Sequence, residues 1–482
     1  MSKRTITIAG AWAIIAATAV FHLATLRSGH DWGGDFALYI HHAENIVQGK
    51  PYADTGFIFN PYYPHLSPSA YPPVFPLMLA PIYKVWGLDL MAMKGVVAIS
   101  FAAALAGVWG AFRRELPGGY TVALLGILAF NPWFWDFKDQ VLSDIPFLFF
   151  MYSALFWLGR AYSRHEAGGK PWVDAPAAGL FVCLAYGTRS LGAVLVLAAI
   201  GHDLIRYRRP TRVLAIVLGT FGIYAVAQGL VVGGQSSYLS LFAWDPGGML
   251  AKLLFLPLPA LWHNGYVQHL THTLWCVITV LAVAGYIIRL RRGVTVLELI
   301  GPLYVVPLFL LQAFQGMRYV VPLIPLYVFY VFVALNDWRP LQRPDVKKTL
   351  AAGLCVAIFG SYLARYTTVN FGPITYGPEK PQSQELFQFV RENTEPNDVV
   401  IFRKPRVLSL YTGRPSSIYP VVTPENAGPF WNHVKTTGAR YIIAGEPFIE
   451  DRAVLSHLLR ESGNRLEQVF VNPDFRVYRI KN

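Results

Sequence analysis

Cysteine is nearly absent from this chain, with three in 482 residues, Cys183, Cys276 and Cys355. All three lie inside apolar runs and far apart, which excludes a disulfide framework and a zinc knuckle. Charge is scarce too: 14% of residues are charged, against 54% hydrophobic and 15% aromatic, a balance too apolar for a soluble chain of this length. There is no internal repeat and no low-complexity tract. The first apolar stretch, 5–26, is long and lacks the A-x-A pattern of a cleaved signal, so it reads as a first spanning helix. What these absences leave is a polytopic membrane protein. The net charge of +13 does not imply nucleic acid, because the basic residues gather in short clusters between apolar stretches, as cytoplasmic loops require.

Apolar runs of spanning length fall near 5–26, 95–112, 119–135, 145–159, 212–232, 271–288, 297–313, 319–335 and 349–364. The segment 172–205 is too long for one span and is broken by Gly187, Thr188, Arg189 and Ser190, so it is expected to form two short helices meeting at a polar turn. Eleven spans put every basic cluster (3–4, 113–114, 160–170, 206–212, 289–292 and 339–348) on one side. The opposite face then receives the segment after the first span, the 133–144 loop, the turn at Arg189, the 233–270 loop, the 315–318 turn and the C-terminal region.

After residue 365 the composition turns soluble, and alternating helix-like and strand-like segments ending in a hairpin, "QVFVNPDFRVYRI", predict a small α/β domain over 366–482. Residues 1–365 form the expected transmembrane domain, with outer juxtamembrane helices within 28–90. The proline-rich stretch 57–81 is expected to be a loop followed by a helix lying on the membrane surface.

The stretch "HDWGGDFALYIHHAENIVQGKPY", starting at His30, is unusually polar for the lip of a bilayer. Asp35 reads locally as an N-cap and Gly49 as a C-cap of a helix over 36–47. The same face also receives Asp136, Asp139 and Asp144, opposed by Arg189 and Arg318. Acids and arginines converging at a membrane surface point to a site, whereas Asp136 and Asp139, flanking Lys138, fit a solvated loop.

Six segments in order, "GGDFALYIHHAENIVQGKPY", "SAYPPVFPLMLAPIYKVWG", "LSDIPFLFF", "AYGTRSLGAVLVL", "GMRYVVPLIPL" and "FRKPRVLSLYTGRP", resemble the GT-C class of integral-membrane glycosyltransferases, in the protein mannosyltransferase and aminoarabinose transferase branch. The resemblance spans essentially the whole chain. It implies a GT-C fold of about eleven transmembrane helices and transfer of a sugar, with inversion, from a polyprenyl-phosphate donor to a lipid, glycan or protein acceptor. It further implies Asp35 as catalytic base and Asp144 as the family's second acidic position. Where the aminoarabinose branch carries a Glu-Lys pair before Pro-Pro, this chain has Ala70 and Tyr71 before Pro72 and Pro73, which argues for a neutral-sugar donor, or at least against assigning that branch's substrate. The outer domain also lacks the Trp-Trp-Asp signature of oligosaccharyltransferases.

The chemistry asks for a carboxylate to take the acceptor's proton and for fixed cations to hold the departing phosphate. Arg189 and Arg318 are the leading phosphate ligands, with snorkelling or structural ion pairing as the alternative. Lys404 and Arg406 are further candidates against a solvated surface, Tyr319 against an interfacial aromatic, and Tyr71 against packing of a proline-rich loop. His41, His42, His65, His263, His269 and His272 leave room for a divalent metal, but no spacing requires one and no cofactor is demanded. The expected location is a bacterial inner membrane, with the site and the C-terminal domain outside the cytoplasm. A transporter or flippase of a lipid-linked substrate, and a non-catalytic scaffold, remain as alternatives. A transporter would place its site near the mid-bilayer between repeated halves.

Overall fold

The computed structural model describes residues 2–66, 68–233, 247, 268–310, 316–337, 343–420 and 427–481, without the side chains at 3, 268–272, 316 and 317. His263 lies outside the described residues, as do the side chains of His269 and His272. The chain divides into two compact units, one of Met1–Leu26, Lys94–Gly229 and Ala243–Phe371, the other of Arg27–Met93, Leu230–Phe242 and Gly372–Asn482. The segment after the first helix thus groups with the C-terminal residues.

The first unit is helical, and a described helix stands at each of the eleven expected positions. Six are long and apolar enough to cross a membrane by length and composition: Arg4–Ala24, Leu90–Phe112, Asp144–Glu166, Arg212–Val232, Thr273–Arg292 and Pro344–Tyr366. The chain is a multi-pass membrane protein. The run expected over 119–135 is shorter than predicted: Gly118–Ala129 stops before Asn131 and Pro132, and Asn131 caps a separate short helix, Pro132–Phe137, by accepting from the Trp133 N–H at 2.9 Å. Proline lacks the N–H and disfavours helical geometry in the residue before it. The run expected over 145–159 is longer, continuing to Glu166, because Arg160 and Arg164 reach the buried Asp174 of the next helix at 3.1 and 2.9 Å.

The two short helices expected over 172–205 are present as Asp174–Thr188 and Ala193–Arg206, joined by a single helical turn, Ser190–Gly192. Arg189 leaves the helix with extended backbone, φ −147° and ψ 132°. The turn folds so tightly that a Cβ on Gly192 would sit 2.5 Å from the Tyr186 nitrogen, a position only glycine fills. Helices Gln268–Arg292 and Ile324–Asp337 cross just as closely at Gly285, where a Cβ would come 1.8 Å from the Tyr330 carbonyl oxygen.

The second unit is built on a six-stranded sheet of order β1-β3-β2-β4-β6-β5. Its strands are β1 (Phe57–Ile58), β2 (Val399–Ile401), β3 (Ser416–Ser417), β4 (Ala439–Gly445), β5 (Leu466–Val471) and β6 (Phe475–Ile480). The first four pair in parallel, and β4, β6 and β5 are antiparallel. The expected closing hairpin is β5–β6, its turn held by Asn472, whose side-chain oxygen accepts from the Asp474 and Phe475 N–H groups at 3.1 and 2.8 Å. β1 comes from the proline-rich stretch after the first membrane helix and extends the sheet edge beside β3. Trp32, which also follows the first membrane helix, packs edge-on against Phe387, Phe402, Phe448 and Phe475. The chain between the first membrane helix and residue 90 also forms helices Asp35–Gln48 and Val74–Trp86, the second carrying Pro81.

Candidate active site

In the helical unit, Asp144 stands at the first position of helix Asp144–Glu166, and its side chain is 0% exposed. One carboxylate oxygen accepts from Arg189 Nη1; the other accepts from Arg318 Nε at 2.9 Å. Arg189 leaves the break between the two short helices, and Arg318 leaves the helical turn Gly316–Tyr319. Asp144 thus ties two arginines together, their side chains 13% and 16% exposed. A lone buried carboxylate is strongly disfavoured, so its two partners are held in place. Tyr319 lies with its ring 5.6 Å from the Arg189 guanidinium carbon, a cation–π contact.

In the second unit, Asp35 is not the N-cap that the local pattern predicts. Gly34 occupies that place without a side-chain cap, and Asp35 is the first helical residue. Its Oδ1 instead accepts from the Tyr71 hydroxyl at 2.6 Å and from Arg406 Nη1 at 3.0 Å. The expected C-cap is present: Gly49 has φ +66°, a left-handed conformation suited to glycine. Arg406 is 1% exposed in its side chain, against 17% for Asp35. Arg406 also donates to the Tyr71 hydroxyl oxygen at 3.0 Å, to the Leu66 carbonyl and to the Pro68 carbonyl at 2.7 Å, and it lies over the Phe57 ring.

Tyr71 is fixed from behind. Its carbonyl accepts from the Tyr52 hydroxyl at 2.7 Å and its N–H donates to His42 Nε2 at 3.2 Å. Because Nε2 accepts, the ring proton sits on Nδ1, which donates to the Tyr52 carbonyl at 2.8 Å. Burial, the largest influence, pushes His42 down to about 3, so the ring is neutral. His42 is therefore a structural support of Tyr71.

Lys404 and Arg403 line a pocket of about 90 Å³ with Gly34, Tyr63 and Arg406. Burial and the neighbouring Arg403 pull Lys404 below its usual value. Arg403 pairs with Glu450 at 2.5 Å and faces the Tyr63 and Tyr419 rings. The solvated loop expected around Lys138 is instead a buried pair: Lys138 and Asp139 lie 2.7 Å apart, both 0% exposed, with the ammonium 4.0 Å from the Trp135 ring centre. Among the described residues, no group of three or more His, Cys, Asp or Glu side chains is arranged to hold a metal ion. The placement of Arg406 under Asp35 escaped sequence reasoning, as did Arg403. The one signal was the basic run "RKPR", which names the residues but not what they face.

No family model matches the chain, and the search of curated proteins finds no match. Solved structures do resemble it. ArnT from Cupriavidus metallidurans bound to undecaprenyl phosphate aligns over 97% of this chain and 97% of its own, at 12% identity and a TM-score of 0.60. The archaeal oligosaccharyltransferase AglB from Archaeoglobus fulgidus, in complex with an inhibitory peptide and a dolichol-phosphate, aligns over 90% of this chain and 69% of its own, at 13% identity and a TM-score of 0.59. The same oligosaccharyltransferase tethered to an acceptor peptide aligns over the same shares at 14% identity and 0.58. The class is therefore a membrane protein with the GT-C fold of integral-membrane glycosyltransferases. Among solved structures of that class, this chain is similar to both the aminoarabinose transferase ArnT and AglB.

Proposed function

We propose that this protein is an inverting glycosyltransferase that moves a sugar from a polyprenyl-phosphate donor to a lipid, glycan or protein acceptor at the extracytoplasmic face of the membrane. The observation that carries this reading is the buried Asp144 with a different arginine on each oxygen. Two arginines held side by side in a poorly solvated setting suit the phosphate of a lipid carrier, because the planar arginine fork matches its oxygens. Asp144 thus acts as a positioning residue that aims Arg189 and Arg318, rather than as an acid or base. Tyr319 contributes to the same surface through its contact with Arg189.

The base role falls to Asp35. Tyr71 and Arg406 bond one oxygen and set the rotamer of the side chain, which is the orientation a general base needs. As the acceptor hydroxyl attacks the anomeric carbon, its proton passes to the Asp35 carboxylate, and the bond from that carbon to the phosphate oxygen breaks. The phosphate leaves as an anion stabilised by Arg189 and Arg318. Lys404, in the pocket next to Gly34, presents a further cation to the acceptor side. The likeness to proteins solved with undecaprenyl phosphate and dolichol-phosphate supports the donor class.

The deciding experiment incubates the purified full chain with a panel of radiolabelled polyprenyl-phosphate sugars and a membrane extract as acceptor source. Consumption of one donor with release of polyprenyl phosphate is expected. Movement of intact labelled donor across a vesicle membrane without release of the carrier would overturn the transferase in favour of a flippase.

A further inference from the structure

A second basic pocket lies in the helical unit. Arg4, Thr7 and Ile8 of the first helix, Trp109 near the end of Leu90–Phe112, and the following Arg113 and Arg114 enclose about 470 Å³ with Gly118. The helix ends meet there because Gly118 has no side chain: a Cβ would lie 2.6 Å from Thr7 Oγ1. Among the described residues, no carboxylate forms an ion pair with Arg4, Arg113 or Arg114. Arg160, nearby, is by contrast already bound to Asp174. Arg113 instead stacks on ring faces, 4.5 Å from the Trp109 centroid and 5.8 Å from that of Phe156. Burial and repulsion from Arg114, Arg160 and Arg4 pull Arg113 below its usual value. Three like charges gathered without a counter-charge repel one another, and an anion between them removes that repulsion.

We infer that this pocket binds the phosphate of an anionic membrane phospholipid. The volume suits a lipid headgroup rather than a single ion. The adjoining helix surface suits its chains: Trp12 and Ile6 are exposed, and Trp12 packs at 5.9 Å against Trp109. The basic residues at 3–4 and 113–114 belong to the side that the positive-inside pattern assigns to the cytoplasm, where anionic lipids meet juxtamembrane arginines.

The test uses the purified full chain in nanodiscs of phosphatidylcholine alone or with phosphatidylglycerol, read by thermal unfolding and by retained lipid in native mass spectrometry. Phosphatidylglycerol is expected to raise the unfolding temperature and to be retained. Substituting Arg113→Gln together with Arg114→Gln is expected to abolish the shift and weaken retention at least about tenfold. Arg4→Gln, at an exposed helix start, gives a second variant that leaves the Arg113 packing intact and is expected to weaken retention as well. Arg209→Gln, a basic residue outside the pocket, is expected to keep the wild-type response. An equal loss in Arg209→Gln, an unchanged response in both pocket variants, or a full response to inorganic phosphate alone overturns the proposal.

Discussion

Asp144 and Asp35 both sit against arginine, and they are built in opposite ways. Asp144 is fully buried and spends both oxygens on two arginines that remain partly exposed. Asp35 is the more exposed member of its pair, and the arginine behind it is the buried one, tied to two backbone carbonyls and a tyrosine hydroxyl. In the helical unit the acid is the anchor and the bases are presented. In the sheet-containing unit the base is the anchor and the acid is presented. The lesson is that a shared ion pair says little about role until burial shows which partner is fixed for the other.

The largest effect that would break this comparison is at Asp35. Asp35→Asn keeps the shape but removes the proton acceptor, and transfer is expected to fall about 10²- to 10⁴-fold with donor affinity retained. Near-normal turnover in that variant would remove Asp35 from the base role. Asp144→Ala removes the buried carboxylate that both arginines share, so a stability loss of about 3–5 kcal/mol is expected in thermal or denaturant unfolding. An unfolding midpoint equal to that of the wild type would contradict the anchoring role.

Smaller effects sharpen the contrast. Arg318→Ala is expected to weaken donor binding about 10- to 100-fold, measured by titration with a labelled donor, while Arg406→Ala is expected to impair turnover and stability instead. Equal loss of donor affinity in both would erase the distinction between the two sites. Tyr71→Phe removes one hydrogen bond to Asp35 and is expected to cost about 0.5–1.5 kcal/mol, seen as a several-fold lower kcat.

The smallest effect concerns pH. His42 is held at about 3 in the folded chain, below its ordinary 6.5, so between those values the unfolded chain binds a proton that the folded chain does not. The His42 contribution to stability is therefore lost as pH falls from about 6.5 toward 3. Asp451, raised to about 6 by burial, acts in the opposite sense. The His42 effect is accordingly read as the difference between wild type and His42→Gln, whose acid dependence is expected to be flatter. Parallel curves would show that His42 is not the group responsible.

Much of the helical framework was legible from residue order. Apolar runs of fixed length, the glycine C-cap at Gly49 and the break before Arg189 are local features, governed by neighbours within a few residues. The misplaced boundaries have two causes, one local and one tertiary. Asn131 and Pro132 ended a run that hydropathy continued, and the contact of Arg160 and Arg164 with Asp174 extended a run that charge suggested should stop. The expectation for Lys138 and Asp139 failed for a related reason: two adjacent opposite charges neutralise each other once folding encloses them, and composition cannot reveal that enclosure.

By itself, the order of residues determined that this is a membrane protein of many apolar helices followed by an α/β region, because helix formation and membrane partition depend on local pattern and length. Only the tertiary structure decided which charges meet. Asp144 finds Arg318 across 174 positions, Asp35 finds Arg406 across 371, and Phe57 pairs with Ser416 in the same sheet. Such pairings depend on where helices and strands pack in space, and the low dielectric of the interior makes each of them far stronger than the same residues would be in water.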